Sequence, residues 1–252
     1  MRARLPFPSV VEKASRVLAR ATSRQWLTLR GEQPVVSITF DDVIATACTA
    51  GAEILQAHGA RGTYYVAGGL TGQTEDGRAA HTVEQLRSLH AAGHELGCHG
   101  WSHRRYTEFT QAQLRGDLDR NAAFVHSITG VAPENFAYPF GAYDYLTKRI
   151  CAPRFQSCRV LGGGIYRDRV DLGNMGCWRL YGETRKPERW REALDGIASG
   201  GWAILNTHAV DADCGPYGCT PEDLDEVLRH ATSMGALILP VSVAISHWRR
   251  RA

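Results

Sequence analysis

The chain has 252 residues, 44% of them hydrophobic and 22% charged, which is enough apolar material and length for one large buried core. A formal net charge of +3 is too small to argue for nucleic acid, and the basic run Arg249-Arg250-Arg251 reads as a solvated end. No stretch approaches the length of a membrane span. Glu12, Lys13 and Arg16 interrupt any signal-peptide core behind the basic start at Met1, so the chain as given reads as cytoplasmic. Seven Cys residues, an odd number without metal-ligand spacing, argue against a disulfide framework. Cys214 and Cys219 flank Gly215-Pro216-Tyr217-Gly218 and could pair, but free thiols are expected in a reducing compartment.

In chain order, Val10 to Ala21 has helical periodicity and Trp26 to Leu29 reads as a strand; together residues 1–33 form an extension. Pro34-Val35-Val36-Ser37-Ile38-Thr39-Phe40-Asp41-Asp42 is a buried strand ending in two carboxylates. Ala45 to His58 is helical and Thr63 to Val66 extended. Val83 to Ala92 is a helix, followed by a strand that runs into His99. Gln111 to Ile128 is the longest helix, closed by Gly130. Asn135 to Gly141, Gln156 to Val160 and Cys177 to Leu180 read as strands. Glu188 to Ser199 is a helix, and Trp202 to His208 a strongly buried strand. Thr220 caps a last helix with Pro221 at its first position, running to Met234. Ala236 to Val241 is the closing strand. Strands alternating with helices predict parallel βα units.

The polar residues that need explaining sit at strand C-terminal ends: Asp41 and Asp42, His99, Tyr138, Arg179 and His208. A parallel barrel builds its active site at that face. His99 and His103, spaced i, i+4, can meet one ion, and with Asp42 they leave open positions for water, as a catalytic metal site does. Taken alone, Asp41-Asp42 is as readily an ordinary strand-to-helix turn, and a single His is more often structural than a ligand. The other His residues, among them His58, His81, His94 and His230, read as packing or solvated groups.

Thr39-Phe40-Asp41-Asp42 and the His99/His103 block resemble the polysaccharide deacetylase family, also called the NodB-homology or carbohydrate esterase 4 family, over roughly Pro34 to Ala244. The resemblance implies a distorted (β/α)7 barrel over residues 34–252; periodicity alone also permits eight strands. It implies metal binding by Asp42, His99 and His103, with Asp41 as base, His208 as acid and the backbone N–H of Phe140 as an oxyanion donor. Zinc fits the mixed N/O donors best, with cobalt, nickel or manganese open. Two departures stand out. The family's Arg-x-Pro-Tyr/Phe block, whose Arg orients the catalytic Asp, reads Ala137-Tyr138-Pro139-Phe140, and its Leu-x-His block reads Asn206-Thr207-His208. Arg179 is the candidate to supply the missing guanidinium, with pairing to Glu183 as its alternative. Tyr217 offers a flat face for a sugar ring, and Trp101, Tyr138 and Pro139 complete the candidate substrate-binding set. The activity expected is removal of an acetyl group, N-acetyl before O-acetyl, from a carbohydrate. A metal-dependent hydrolase of another small amide and a non-catalytic carbohydrate-binding barrel are the alternatives.

Overall fold

The structure, a computed structural model, describes residues 10–251, so the N-terminal stretch 1–8 weighed above lies outside the described residues. Its frame is a strongly curled sheet around strand β2 (Pro34–Asp41), buried at all eight positions. An unbroken Val/Ile/Phe-containing run of this kind suits a parallel strand covered on both faces. α1 (Val10–Ala21) and β1 (Trp26–Thr28) precede it; β1 pairs antiparallel with the later segment Arg169–Asp171 outside the main sheet.

From β2 the chain turns through 47–51 into α2 (Ala52–Ala57) and returns as β3 (Thr63–Val66). A small hairpin follows, β4 (Thr74–Glu75) and β5 (Arg78–Ala79), then α3 (Val83–Ala91) and β6 (Glu95–Cys98). α4 (Gln111–Thr129), β7 (Asn135–Ala137), α5 (Tyr145–Cys151) and β8 (Ser157–Arg159) continue the alternation. Short strands β9 (Ile165–Tyr166), β10 (Arg169–Asp171) and β11 (Trp178–Arg179) lead to α6 (Pro187–Asp195) and β12 (Gly201–Thr207). α7 (Pro221–Ser233), β13 (Leu237–Ile238) and α8 (Val241–Arg249) complete the chain.

The strand order is β11-β12-β2-β3-β6-β7-β8, every neighbour parallel. β13 adds in parallel beside the start of β2, and β9 runs antiparallel along β12. The far edge nearly meets the near one, because Arg159 bridges to Met175 shortly before β11. The result is the expected α/β distorted barrel. The structure adds elements the sequence reading left unassigned and moves one boundary. Tyr145–Cys151 is a helix, capped by Asp144 on the Thr147 N–H. Val241 begins a helix rather than ending a strand. Its buried Val241, Ala244, Ile245 and Trp248 follow helical spacing, which outweighs the β-branched local sequence.

Strand alternation separates two environments. Val36, Ile38, Phe40, Tyr64, Val66 and Leu96 join an apolar cluster with residues of α2, α3 and α7. Cys98, Phe136 and Cys158 do the same with α4 and α5. The alternate residues line a polar barrel interior. Thr63 donates to Glu95, Asn135 Nδ2 reaches the same carboxylate, and Ser157 donates to Asn135 at 2.6 Å. Buried polar groups are tolerable only when bonded to one another in this way. Tyr65 fills the space above this layer, and Gly97 is what admits it: a Cβ there would stand 2.6 Å from the Tyr65 ring and 3.1 Å from the Asn135 carbonyl. Gly97→Ala should therefore cost about 1–3 kcal/mol, the scale of overpacking in a filled core. A urea unfolding midpoint matching wild type would show that Tyr65 can move aside.

Candidate metal centre and active site

β2 ends in Asp41, and the next two residues, Asp42 and Val43, both have φ of 60°. For Val, branched at Cβ, that conformation is strained and needs support from its surroundings. The Val43 N–H bonds back to the Asp41 carbonyl at 2.5 Å, and buried His81 braces the turn from outside. His81 Nδ1 faces the carbonyls of Asp42 and Val43 at 3.2 and 3.0 Å, and its Nε2 faces the Thr71 hydroxyl at 3.0 Å. Carbonyls only accept, so Nδ1 carries the proton. Burial pushes the His81 pKa down and favours this neutral form.

The turn aims Asp42 at two imidazoles from the far end of β6. His99 Nδ1 donates to the Ala137 carbonyl at 2.8 Å, which leaves a lone pair on Nε2. His103 Nδ1 lies 3.0 Å from Glu75 Oε1, which fixes the same tautomer. The two Nε2 atoms stand 3.3 and 2.9 Å from Asp42 Oδ1, and the three ligand atoms all lie within 4.8 Å of one another. In these tautomers Asp42 Oδ1, itself buried, meets no donor. Three buried lone pairs thus converge on one point, an arrangement that a cation or an extra proton must stabilise. The charge balance agrees. Burial would raise the Asp42 pKa, but His103, His99 and the nearby His208 outweigh it and hold the carboxyl well below its ordinary range. For His103, burial opposes the charge, and Asp42 with Glu75 outweighs that and raises the pKa. The donor set fits a divalent metal.

Asp41 faces the barrel interior and is 3% exposed. Its Oδ1 takes an ion pair from Arg159 Nη2 at the end of β8, and its Oδ2 accepts from Asn206 Nδ2 at 3.3 Å. The Asn206 amide is oriented in turn by the Thr39 hydroxyl, 3.0 Å from Oδ1. Arg159 is fully buried over the Tyr65 ring, with Cys177 Sγ 3.3 Å from Nη1. Burial disfavours its charge, but Asp41 outweighs that and raises its pKa above the ordinary value. Across the cleft, His208 Nδ1 donates to the Tyr217 carbonyl at 3.0 Å, and Nε2 stands 3.9 Å from Asp42 Oδ2. Asp41, Asp42, His99, His103 and His208 line one open cleft of about 280 Å³, rimmed by Phe140, Leu161, Tyr181 and Tyr217.

Residues 29–152 match the family model described as polysaccharide deacetylase. The chain belongs to the polysaccharide deacetylase family. Its curated relatives include a bifunctional xylanase/deacetylase of Pseudobutyrivibrio xylanivorans, 25% identical over 108 residues, covering 43% of this chain and 17% of that protein. A chitin deacetylase of Cryptococcus neoformans var. grubii is 24% identical over 121 residues (48% and 24%), and a peptidoglycan deacetylase of Helicobacter pylori 30% over 67 (27% and 23%). The matched stretch is thus less than a quarter of each relative's length. Among solved structures, a family 4 acetyl xylan esterase from Clostridium thermocellum, in complex with a cobalt ion, superposes with a TM-score of 0.60 at 21% identity, covering 84% of this chain and 91% of that one. A mutant of a pseudoenzyme from the same family, with restored activity, gives 0.60 at 14%, covering 87% and 70%.

The structure departs from the sequence reading at four candidate residues. Arg179 does not replace the missing Arg at Ala137: its side chain is exposed, its guanidinium lies toward the Tyr181 ring, and Glu183 pairs with Lys186. Arg159 stands against Asp41 instead, from β8 rather than β11, because the Arg159 position on the curled sheet points inward beside β2. Tyr138 is fully buried, packed between Phe136 and Tyr143, and does not reach the cleft. Pro139 is also buried and sets the turn into Phe140, whose φ is 59°. Trp101 packs over Gly68, Gly69 and Phe124 with Arg120 on its ring, away from the metal centre. Asp42, His99, His103, Asp41, His208, Phe140 and Tyr217 do meet in the one cleft. The sequence reading missed Arg159, Asn206, Glu75, His81 and Tyr181. Asn206 had a legible signal, a polar residue in an otherwise apolar strand where the family carries Leu. All seven Cys are free thiols, and Cys214 takes a contact from Arg185 at 2.7 Å rather than pairing with Cys219.

Breaking the buried pair on one side should be costly. Arg159→Met leaves Asp41 as an uncompensated buried charge and should lower stability by about 3–5 kcal/mol in urea unfolding. Adding Asp41→Asn should recover part of that loss; a double variant no more stable than the single one would mean that the pair is not coupled.

Proposed function

We propose that the chain hydrolyses an acetyl group, N-acetyl in preference to O-acetyl, from a carbohydrate. The observation that carries this reading is the convergence of Asp42, His99 and His103 on one point beside a second carboxylate, Asp41, with His208 across the same cleft. A divalent cation held by those three residues, zinc by preference, supplies a Lewis acid for the acetyl carbonyl and for an attacking water.

The chain's own groups have distinct tasks. Asp41 takes the proton of the attacking water. Its two oxygens are fixed by Arg159 and Asn206, so the carboxylate is held in one orientation. His208, with Nδ1 committed to the Tyr217 carbonyl, presents Nε2 to the cleft and gives its proton to the departing amine. The Phe140 N–H is the proposed donor to the developing oxyanion. The exposed rings of Phe140 and Tyr217 at the rim suit the apolar faces of sugars, and the family's relatives named for chitin and peptidoglycan support a carbohydrate substrate.

Three measurements test this reading. Metal-loaded protein should release acetate from N-acetylated oligosaccharides and leave small non-sugar amides intact; the reverse preference would place it with other amidohydrolases, and no turnover on either would favour a binding barrel. Asp41→Asn should keep its metal yet lose on the order of 10²-fold or more in kcat, and near-wild-type turnover would move the base elsewhere. Tyr217→Ala should chiefly raise KM, with metal content and melting temperature unchanged. Kinetics matching wild type would exclude the ring from substrate binding.

A further inference from the structure

The two imidazoles of the centre are held differently. His99 gives its Nδ1 proton to a neutral backbone carbonyl, whereas His103 gives its own to a carboxylate, Glu75. We propose that Glu75 is the outer carboxylate of the metal centre, a positioning residue that orients His103 and strengthens it as a ligand, and that the β4–β5 hairpin serves to hold it there. The proposal rests on reading the site as a metal centre.

His103 needs such support. Its φ of 45° is a left-handed conformation that is uncommon outside Gly, although His is among the residues enriched there. One face of the ring stacks on Phe140 at 4.6 Å, itself 46% exposed, and the His99 ring lies tilted against it at 5.3 Å; neither contact fixes which nitrogen carries the proton. A carboxylate on Nδ1 fixes tautomer and rotation together, and its charge makes Nε2 more basic. Glu75 is not a freely moving surface acid. Asp76 and Gly77, with φ of 49° and 76°, form the tight two-residue turn that favours a hairpin. At the hairpin base, Ala80 N–H bonds Gln73 O and Gly72 N–H bonds His81 O, each at 2.9 Å. His81 in turn braces the Asp42 turn, so one metal ligand and the carboxylate behind another share a support. On the outer side Arg78 pairs with Asp211 at 3.6 Å and Asp213 at 3.4 Å in the loop after β12, and donates to the Asp213 carbonyl. The hairpin is thereby tied at both ends.

The test is metal affinity, measured by titrating zinc(II) against a fluorescent chelator with metal-free protein. Glu75→Ala should weaken the dissociation constant about 10- to 100-fold, the usual range for loss of such a partner. Glu75→Gln keeps an oxygen acceptor without the charge and should fall between Ala and wild type. Both metal-free variants should melt at the wild-type temperature, which a general packing role would not allow. Wild-type affinity in the Ala variant, or in both variants, overturns the proposal while leaving the metal centre intact. A wild-type protein that takes up no zinc overturns the metal centre and the proposal together.

Discussion

The ion pair between Arg159 and Asp41 is the constraint around which the upper barrel is arranged. A carboxylate that is almost wholly buried at a strand end would ordinarily take up a proton or find water. Here a guanidinium shielded from solvent answers it on one oxygen and an amide on the other. Each partner then needs its own support. Arg159 lies over Tyr65, Tyr65 stands in the space Gly97 leaves, and Asn206 is oriented by Thr39. A buried pair of this kind contributes little net stability. What it provides is a fixed orientation for the Asp41 carboxylate.

The relocation of that guanidinium is the main difference from the family pattern the sequence suggested. In the expected block the Arg would extend from β7, at the position of Ala137. Here β7 contributes only a backbone carbonyl, which fixes His99, and the cation comes from the neighbouring β8. The two strands pair in register, Ala137 opposite Arg159, so the exchange shifts the point of attachment by one strand and needs no change of topology.

Much of this was legible in the sequence, and the reasons for the failures are physical. β2, β6 and β12 are long or apolar enough for periodicity to place them, and Asp42, His99 and His103 were identifiable because carboxylates and spaced imidazoles at strand ends have few other uses. Arg159 was not, because a lone Arg in a short polar-apolar strand looks like any surface charge until the sheet curls it inward. Glu75 was hidden for the same reason: an acid in a two-residue strand has no local signal beyond the Asp76-Gly77 turn. The helix at Val241–Arg249 was left unassigned beyond the strand expected to end at Val241, because β-branched residues favour strands in isolation; its burial against Leu27, Trp202 and their neighbours reveals its face.

The register of β2 has an implication for how the molecule is made. β2 pairs along most of its length with β12, far away in the chain, Thr39 opposite Asn206. All three metal ligands are synthesised early, whereas Arg159, Asn206 and His208 come from the later part of the chain. Parallel pairings at such separation form slowly, since loop closure precedes their reward. Asp41 therefore gains both of its partners only when the later half of the chain has joined the sheet. The residues that meet the ion-binding point and those that meet Asp41 thus divide between the two halves of the chain.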